Sequence, residues 1–287
     1  MRSLRRYVRD GLAVASVLTV AAGGAPGAAC AQGKLDARYT ASLAGIPIGN
    51  GSWVIDIGDS HYTAAASGAT AGLVRVFTGG RGTSAAKGTI NGAGKLMSSV
   101  YAATITTRKN SDEVRLSLAN GNVREFKVDP PVDRDPERLP VTEAHRRGVL
   151  DPMTAMLLRA SGNGDPLKPE VCEHTLPIFD GRLRYDLKLA YKRMDHVKAE
   201  KGYAGPVVVC AVYFTPIAGF IPSRSAIRYV SKLRDMEIWF APMAGTRLLV
   251  PFRAQGPTPI GQAVVVAKQF VLSQPPSRAS LNGTKAQ

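Results

Sequence analysis

The chain has 287 residues, 45% of them hydrophobic, and a formal charge of +15 at pH 7. Removing an export leader of 31 residues would leave 287 less 31, or 256, enough for one large β domain or two small ones with a core that needs no stapling. Such basicity would point to nucleic acid in the cytoplasm, but export excludes nucleic acid, ATP and NADH and leaves anionic envelope components, such as lipid head groups or acidic polymers, as partners.

Arg2, Arg5, Arg6 and Arg9 precede an uncharged run from Gly11 to Ala22, and Ala29-Cys30-Ala31 has the spacing of a signal-peptidase site. The apolar run is about a dozen residues against the ~20 that span a bilayer, so it reads as a cleaved signal rather than an anchor. Cleavage is expected before Gln32, with the periplasm as destination and no transmembrane segment in the mature protein. Leu4 and Arg9 make Arg5-Arg6 a poor twin-arginine signal. Cys30 could instead be a lipidated first residue, although Gly27-Ala28-Ala29 lacks the Leu usual three places earlier. Four arginines and one aspartate leave with the leader, so +15 falls to +12, dispersed along the chain without a run of like sign.

Beyond the leader, period-two alternation predicts strands. Leu35, Ala37, Tyr39, Ala41 and Leu43 share one face, and the pattern returns at Trp53 to Ile57, Val114 to Leu118, Leu183 to Tyr191, Met236 to Phe240 and Leu248 to Phe252. Asn120-Gly121 is a two-residue hairpin signal, Asn91-Gly92 with Gly94 suggests a longer turn, and Gly45 to Gly51 bends the first strand toward the second. Val207 to Phe214 and Ala263 to Leu272 are almost continuously apolar, as in strands covered on both faces or central in a sheet.

Residues 129 to 140 mix prolines with charges and predict an exposed loop. A helix follows, with Asp151 as N-cap, Pro152 in the first turn, a stripe of Met153, Met156, Leu157 and Ala160, and Gly162 as C-cap. Cys172 and Cys210 are the two cysteines left after processing and are expected to form a disulfide, worth roughly 3 to 5 kcal/mol in loop-closure entropy. A metal site using them with His174 lacks a fourth ligand. The fold class is therefore mainly β: one large antiparallel, strongly curled sheet (half-barrel, spiral or open barrel) over residues 32–272, one short helix after the Pro-rich loop, and a disordered tail at 273–287.

The chain contains no G-x-S-x-G, H-E-x-x-H or nucleotide P-loop, and Ser84-Ala85-Ala86-Lys87 lacks the companion motifs of penicillin-binding enzymes. No catalytic residue, cofactor or metal is assigned. Arg182 and Arg184, in the cluster Asp180 to Asp186, together with Arg228, are candidates for anionic contacts; alternation equally allows Arg182 and Arg184 to line the wet face of a strand. Tyr39, Trp53, Tyr185 and Phe240, joined by Leu187, Tyr191 and Ile238, would line an apolar cleft if the sheet curls without filling, and form ordinary core if it fills.

Ala44 to Gly49 followed by Trp53, Gly92-Ala93-Gly94-Lys95-Leu96 before a strand, Leu150-Asp151-Pro152 with Met156-Leu157-Leu158, and Phe179-Asp180-Gly181-Arg182 leading into Tyr185-Asp186-Leu187 together resemble domain-of-unknown-function family 3108 over most of residues 35 to 272. The resemblance implies a mainly β periplasmic protein of exported proteobacterial type with no assigned activity, similar in architecture to spiral or half-barrel envelope proteins. The expected function is non-enzymatic: binding an apolar, lipid-like or anionic ligand, or an envelope protein partner, in support of envelope integrity. The alternative is a hydrolase of an envelope lipid or polymer, with His145 or His174 as base.

Overall fold

Alternating apolar and polar residues build one sheet, which the computed structural model describes over residues 32–71 and 79–273; the expected leader and the expected tail beyond Ser273 lie outside the described residues. Seven strands run as a meander: β1 (Gly33–Leu43), β2 (Ile46–Ile57), β3 (His61–Thr70), β4 (Arg81–Ile90), β5 (Leu96–Thr106), β6 (Ser111–Ala119) and β7 (Asn122–Asp129). An excursion carries α1 (Pro152–Ala155), the two-residue β8 (Leu158–Arg159) and a 3-10 turn at Pro169–Cys172. β9 (Thr175–Phe179), β10 (Arg184–Lys198), β11 (Lys201–Gly202), β12 (Ala204–Ala218), α2 (Ser225–Lys232), β13 (Met236–Pro242), β14 (Leu248–Thr258) and β15 (Gly261–Ser273) complete the order.

The sheet runs β7-β6-β5-β4-β3-β2-β1-β15-β14-β13-β12-β10-β9, with β8 added to β14 and β11 to β15. Neighbours along this path are antiparallel; the short β11 joins β15 in parallel. Tight turns close the hairpins where both central residues accept positive φ. Ala44 and Gly45 have φ of 49° and 82°, Asn120 and Gly121 of 51° and 74°, the backbone of the twisted two-residue hairpin. The first of these starts β2 at Ile46, earlier than the expected bend through Gly45 to Gly51.

Register shifts at Arg38/Tyr39, Lys87/Gly88, Ser117/Leu118 and Trp239/Phe240 mark irregular pairing, and such bulges add twist to a sheet. The accumulated curl brings the two outermost strands together: Phe126 of β7 meets Phe179 of β9 edge to face at 5.9 Å between centroids. No ladder joins these edges among the described residues. A single extended segment lies between them instead, with the Val149 amide donating to Gly121 O at 2.7 Å and the Leu150 amide to Pro177 O at 2.8 Å. The sheet is a curled, unclosed one.

Two hydrophobic clusters hold it. The first occupies the inside of the curl and centres on Leu35, Ile55, Tyr62, Phe179, Phe252 and Phe270; each such side chain contributes about 1.5 to 3 kcal/mol by burial. The second lies beneath the excursion, where Leu158, Val171, Ile178 and Leu189 pack on Phe240 and Leu249. Strand β12 is buried on both faces from Val207 to Val212, as its continuous apolar run implies. Cys172 and Cys210 are bonded, tying the 3-10 turn to β12 across the second cluster.

The helical expectation needs correction. Asp151 caps α1 as predicted, accepting from the amides of Met153 (2.9 Å) and Thr154 (3.0 Å), but the helix ends at Ala155. Leu158 and Arg159 pair with β14 instead, and the Ala160 amide donates to Arg247 O at 2.9 Å. Gly162 is therefore not its cap. A second helix, α2, stands where none was expected.

Candidate functional site

Gly51 of β2, Gly68 of β3 and Gly82 of β4 stand directly opposite one another on adjacent strands, in a row that ends at Tyr39 of β1 and Ile105 of β5. Opposed residues share a face, and Gly68 has the parity of Tyr62 and Ala64, which are buried in the first cluster. The row therefore faces the inside of the curl. Three missing side chains in one line leave a trough where core would otherwise be. A second row, Ala41, Val265, Ala254 and Ile238, continues the inner surface across β1, β15, β14 and β13.

Together these rows border a cleft of about 710 Å³, with Trp53 and Met156 also on its wall. That volume lies in the range of small-molecule sites, ~300–1,000 Å³. Polar groups are sparse. The Tyr39 hydroxyl donates to Pro251 O at 2.7 Å, and burial holds its pKa well above the ordinary phenol range, so it stays neutral. The Trp53 Nε1–H is buried without an acceptor, an arrangement that costs about 1 to 3 kcal/mol. Arg81, next to Gly82 and therefore on the convex face of β4, is exposed where that face meets the rim, and makes no ion pair among the described residues. Because glycines thin the sheet, an open depression of about 720 Å³ with Asp36, Arg38 and Asn50 backs onto the cleft from the convex face.

Of the predicted lining, Tyr39, Trp53 and Ile238 meet at this cleft. Tyr185 is elsewhere, tilted against Phe214 at 5.5 Å, and Leu187 flanks the second cluster. Phe240 is fully buried in that cluster rather than lining a cavity, because β13 is covered on both faces. Tyr191 is exposed.

The predicted arginines separate as well. Arg182 bonds Asp112 at 3.2 Å and Pro130 O at 2.8 Å, fastening the β9–β10 turn to the opposite edge of the sheet. Arg184 pairs with Asp186 on its own strand at 2.5 Å. Arg228 is exposed on α2. His145 lies in a short 3-10 turn at Ala144–Arg146, its Nδ1 3.2 Å from the Thr142 amide, and His174 is exposed before β9.

Sequence reasoning passed over the glycine row and Arg81. Glycine inside a strand marks a close approach or a place left open, and the interior positions of Gly51, Gly68 and Gly82 were the available signal. It also missed a buried polar knot. Asp151 Oδ2 accepts from Ser98 Oγ (2.6 Å) and Thr154 Oγ1 (2.5 Å), and Thr154 Oγ1 lies 2.6 Å from the Tyr62 hydroxyl.

A family described as "Protein of unknown function (DUF3108)" matches residues 38–268. No curated protein matches this chain in sequence. Among solved structures, the chain is similar to a beta-barrel-like protein of domain of unknown function DUF1849 from Brucella abortus, at 9% identity and a TM-score of 0.44, over 84% of this chain and 98% of that one. It is also similar to a putative exported protein with a YmcC-like fold from Bacteroides fragilis, at 9% identity and a TM-score of 0.29, over 82% of this chain and 94% of that one.

Proposed function

The chain belongs to the DUF3108 family, which has no assigned activity, and from that premise we propose that it is an exported, non-enzymatic binding protein that holds a lipid-like ligand in the glycine-floored cleft. The observation that carries this reading is the alignment of Gly51, Gly68 and Gly82 on the inner face, which leaves about 710 Å³ unfilled beside a packed core. Interiors normally fill to crystal-like density. Ala41, Ala254, Val265 and Ile238 suit an acyl chain, and the near-absence of polar groups on the wall suits an apolar ligand. The leader and the disulfide support a periplasmic site of action, because disulfides persist in oxidising compartments.

The test fills the trough. A Cβ at Gly82 meets Thr104 O at 3.5 Å and Ile105 Cγ1 at 3.7 Å, and one at Gly68 meets Asn50 O at 3.6 Å, so both sites accept a side chain without backbone strain. Gly82→Val and Gly68→Val should keep the thermal midpoint, since valine suits strands. Each should weaken binding of cis-parinaric acid, followed by its fluorescence, at least tenfold. Failure of the parent protein to bind the probe, or equal affinity in both variants, would defeat the proposal.

A further inference from the structure

We infer that the end of the sheet beside α2 is a docking surface for an anionic lipid bilayer. Arg224, Arg228 and Lys232 recur every fourth residue and form one ridge along the helix. All three are exposed, and none makes an ion pair or side-chain hydrogen bond among the described residues. Ile227, Val230 and Leu233 occupy the opposite, half-buried side, and the helix packs on β12. The ridge therefore points away from the body. Arg234 adds a fourth cation, lying over the Tyr213 ring at 5.9 Å, and Asp235 is the single carboxylate in residues 224–235.

The strand register sets two protruding aliphatic side chains at the same end. Met236 opens β13 next to Gly256, where an added Cβ would lie 3.1 Å from Met236 Cγ. Three residue steps lead from Leu233 to Met236, a reach of roughly 10 Å. From Gly256 the chain runs into the β14–β15 turn, whose tip is Ile260. That turn touches the β1–β2 turn, since the Ala44 amide donates to Gln262 O at 2.9 Å. Ile260 is 72% exposed and Ile46 is 64% exposed, the two most exposed large hydrophobic side chains described.

Uncompensated cations on a helix face beside isolated aliphatic tips match an anionic bilayer, which attracts the charges and takes the tips into its interfacial zone. A protein interface would instead have a core depleted of charge and enriched in aromatic side chains. Ile48, two residues after Ile46, lines the cleft, so the surface adjoins the cleft's mouth. The surface does not depend on what the cleft holds.

Vesicle flotation tests this on protein purified after export, its intact mass showing the leader removed. Vesicles of phosphatidylcholine with phosphatidylglycerol should bind the protein, and pure phosphatidylcholine vesicles should not. Raising sodium chloride to about 0.5 M should release it, because screening shortens to a few ångströms. R224Q/R228Q/K232Q should lower the partition on the order of a hundredfold, at the worth of three basic residues near an anionic surface. Ile46→Ser with Ile260→Ser should lower it at least threefold, and both variants should retain the parent thermal midpoint and parent affinity for cis-parinaric acid. Equal binding to neutral vesicles, or an undiminished partition of the triple variant, overturns the inference and leaves the cleft proposal untouched.

Discussion

Both carboxylate oxygens of Asp151 are occupied, one by the Met153 and Thr154 amides and the other by the Ser98 and Thr154 hydroxyls, and the residue is fully buried. Asp151→Ala would leave those donors unsatisfied and should cost about 2 to 4 kcal/mol, read as a lower urea midpoint at unchanged slope. Glu237 presents a different balance. Burial works to raise its pKa, but hydrogen bonds from Arg193 and Lys192, with their charges, overcome burial and hold it below the ordinary range. A depressed folded pKa gives stability that is present above the unfolded value of ~4.3 and lost as pH falls through the folded one. The stability gap between parent and Glu237→Gln should accordingly be widest near pH 7 and shrink by pH 3 in urea titrations. The Asp151 cap was readable from Asp-Pro before an apolar run. Its bond to Ser98 was not, because Ser98 lies 53 residues away in sequence and no local pattern announces such a contact.

At the scale of elements, tertiary pairing overrode local preference. Met153, Met156, Leu157 and Ala160 have helical spacing, yet the backbone of Leu158 and Arg159 joins β14, where the second cluster rewards burying Leu158. Strand positions such as Leu35, Ala37, Val114 and Leu116 were legible because one face meets core and the other water. Met236 to Phe240 was legible as a strand too, but its alternation did not reveal that Trp239 is buried as well as Phe240, because both faces of β13 are covered. The short α2, rich in β-branched and basic residues, carries no strong signal of its own. The Cys172–Cys210 bond spans 38 residues, so replacing both cysteines with Ser should cost about 2 to 5 kcal/mol. Amide exchange should then rise first in the 3-10 turn at Pro169–Cys172, which that bond holds against β12, and in the β9 that follows it.

Over the whole molecule, the curl brings β7 and β9 together without a ladder. Gly181 has φ +101° and sits against Val114, where a Cβ would clash. Gly181→Ala should therefore destabilise by about 1 to 3 kcal/mol in thermal or urea unfolding. The antiparallel, single-sheet character could be read from the sequence, whereas the facing of opposite edges depends on accumulated twist that no single strand encodes. The cleft belongs to the same class: each glycine is visible alone, but their alignment exists only once three strands are in register.

The central pairing of β1 with β15 also orders assembly. Strands β1 to β7 can zip up locally as synthesis proceeds, and β9 to β14 can follow, yet these halves share no ladder until the final strand arrives to sit between β1 and β14. The last hairpin acts as the keystone of an arch. A product cut short before Gly261 would hold two half-sheets, each with a bare inner edge open to foreign strands.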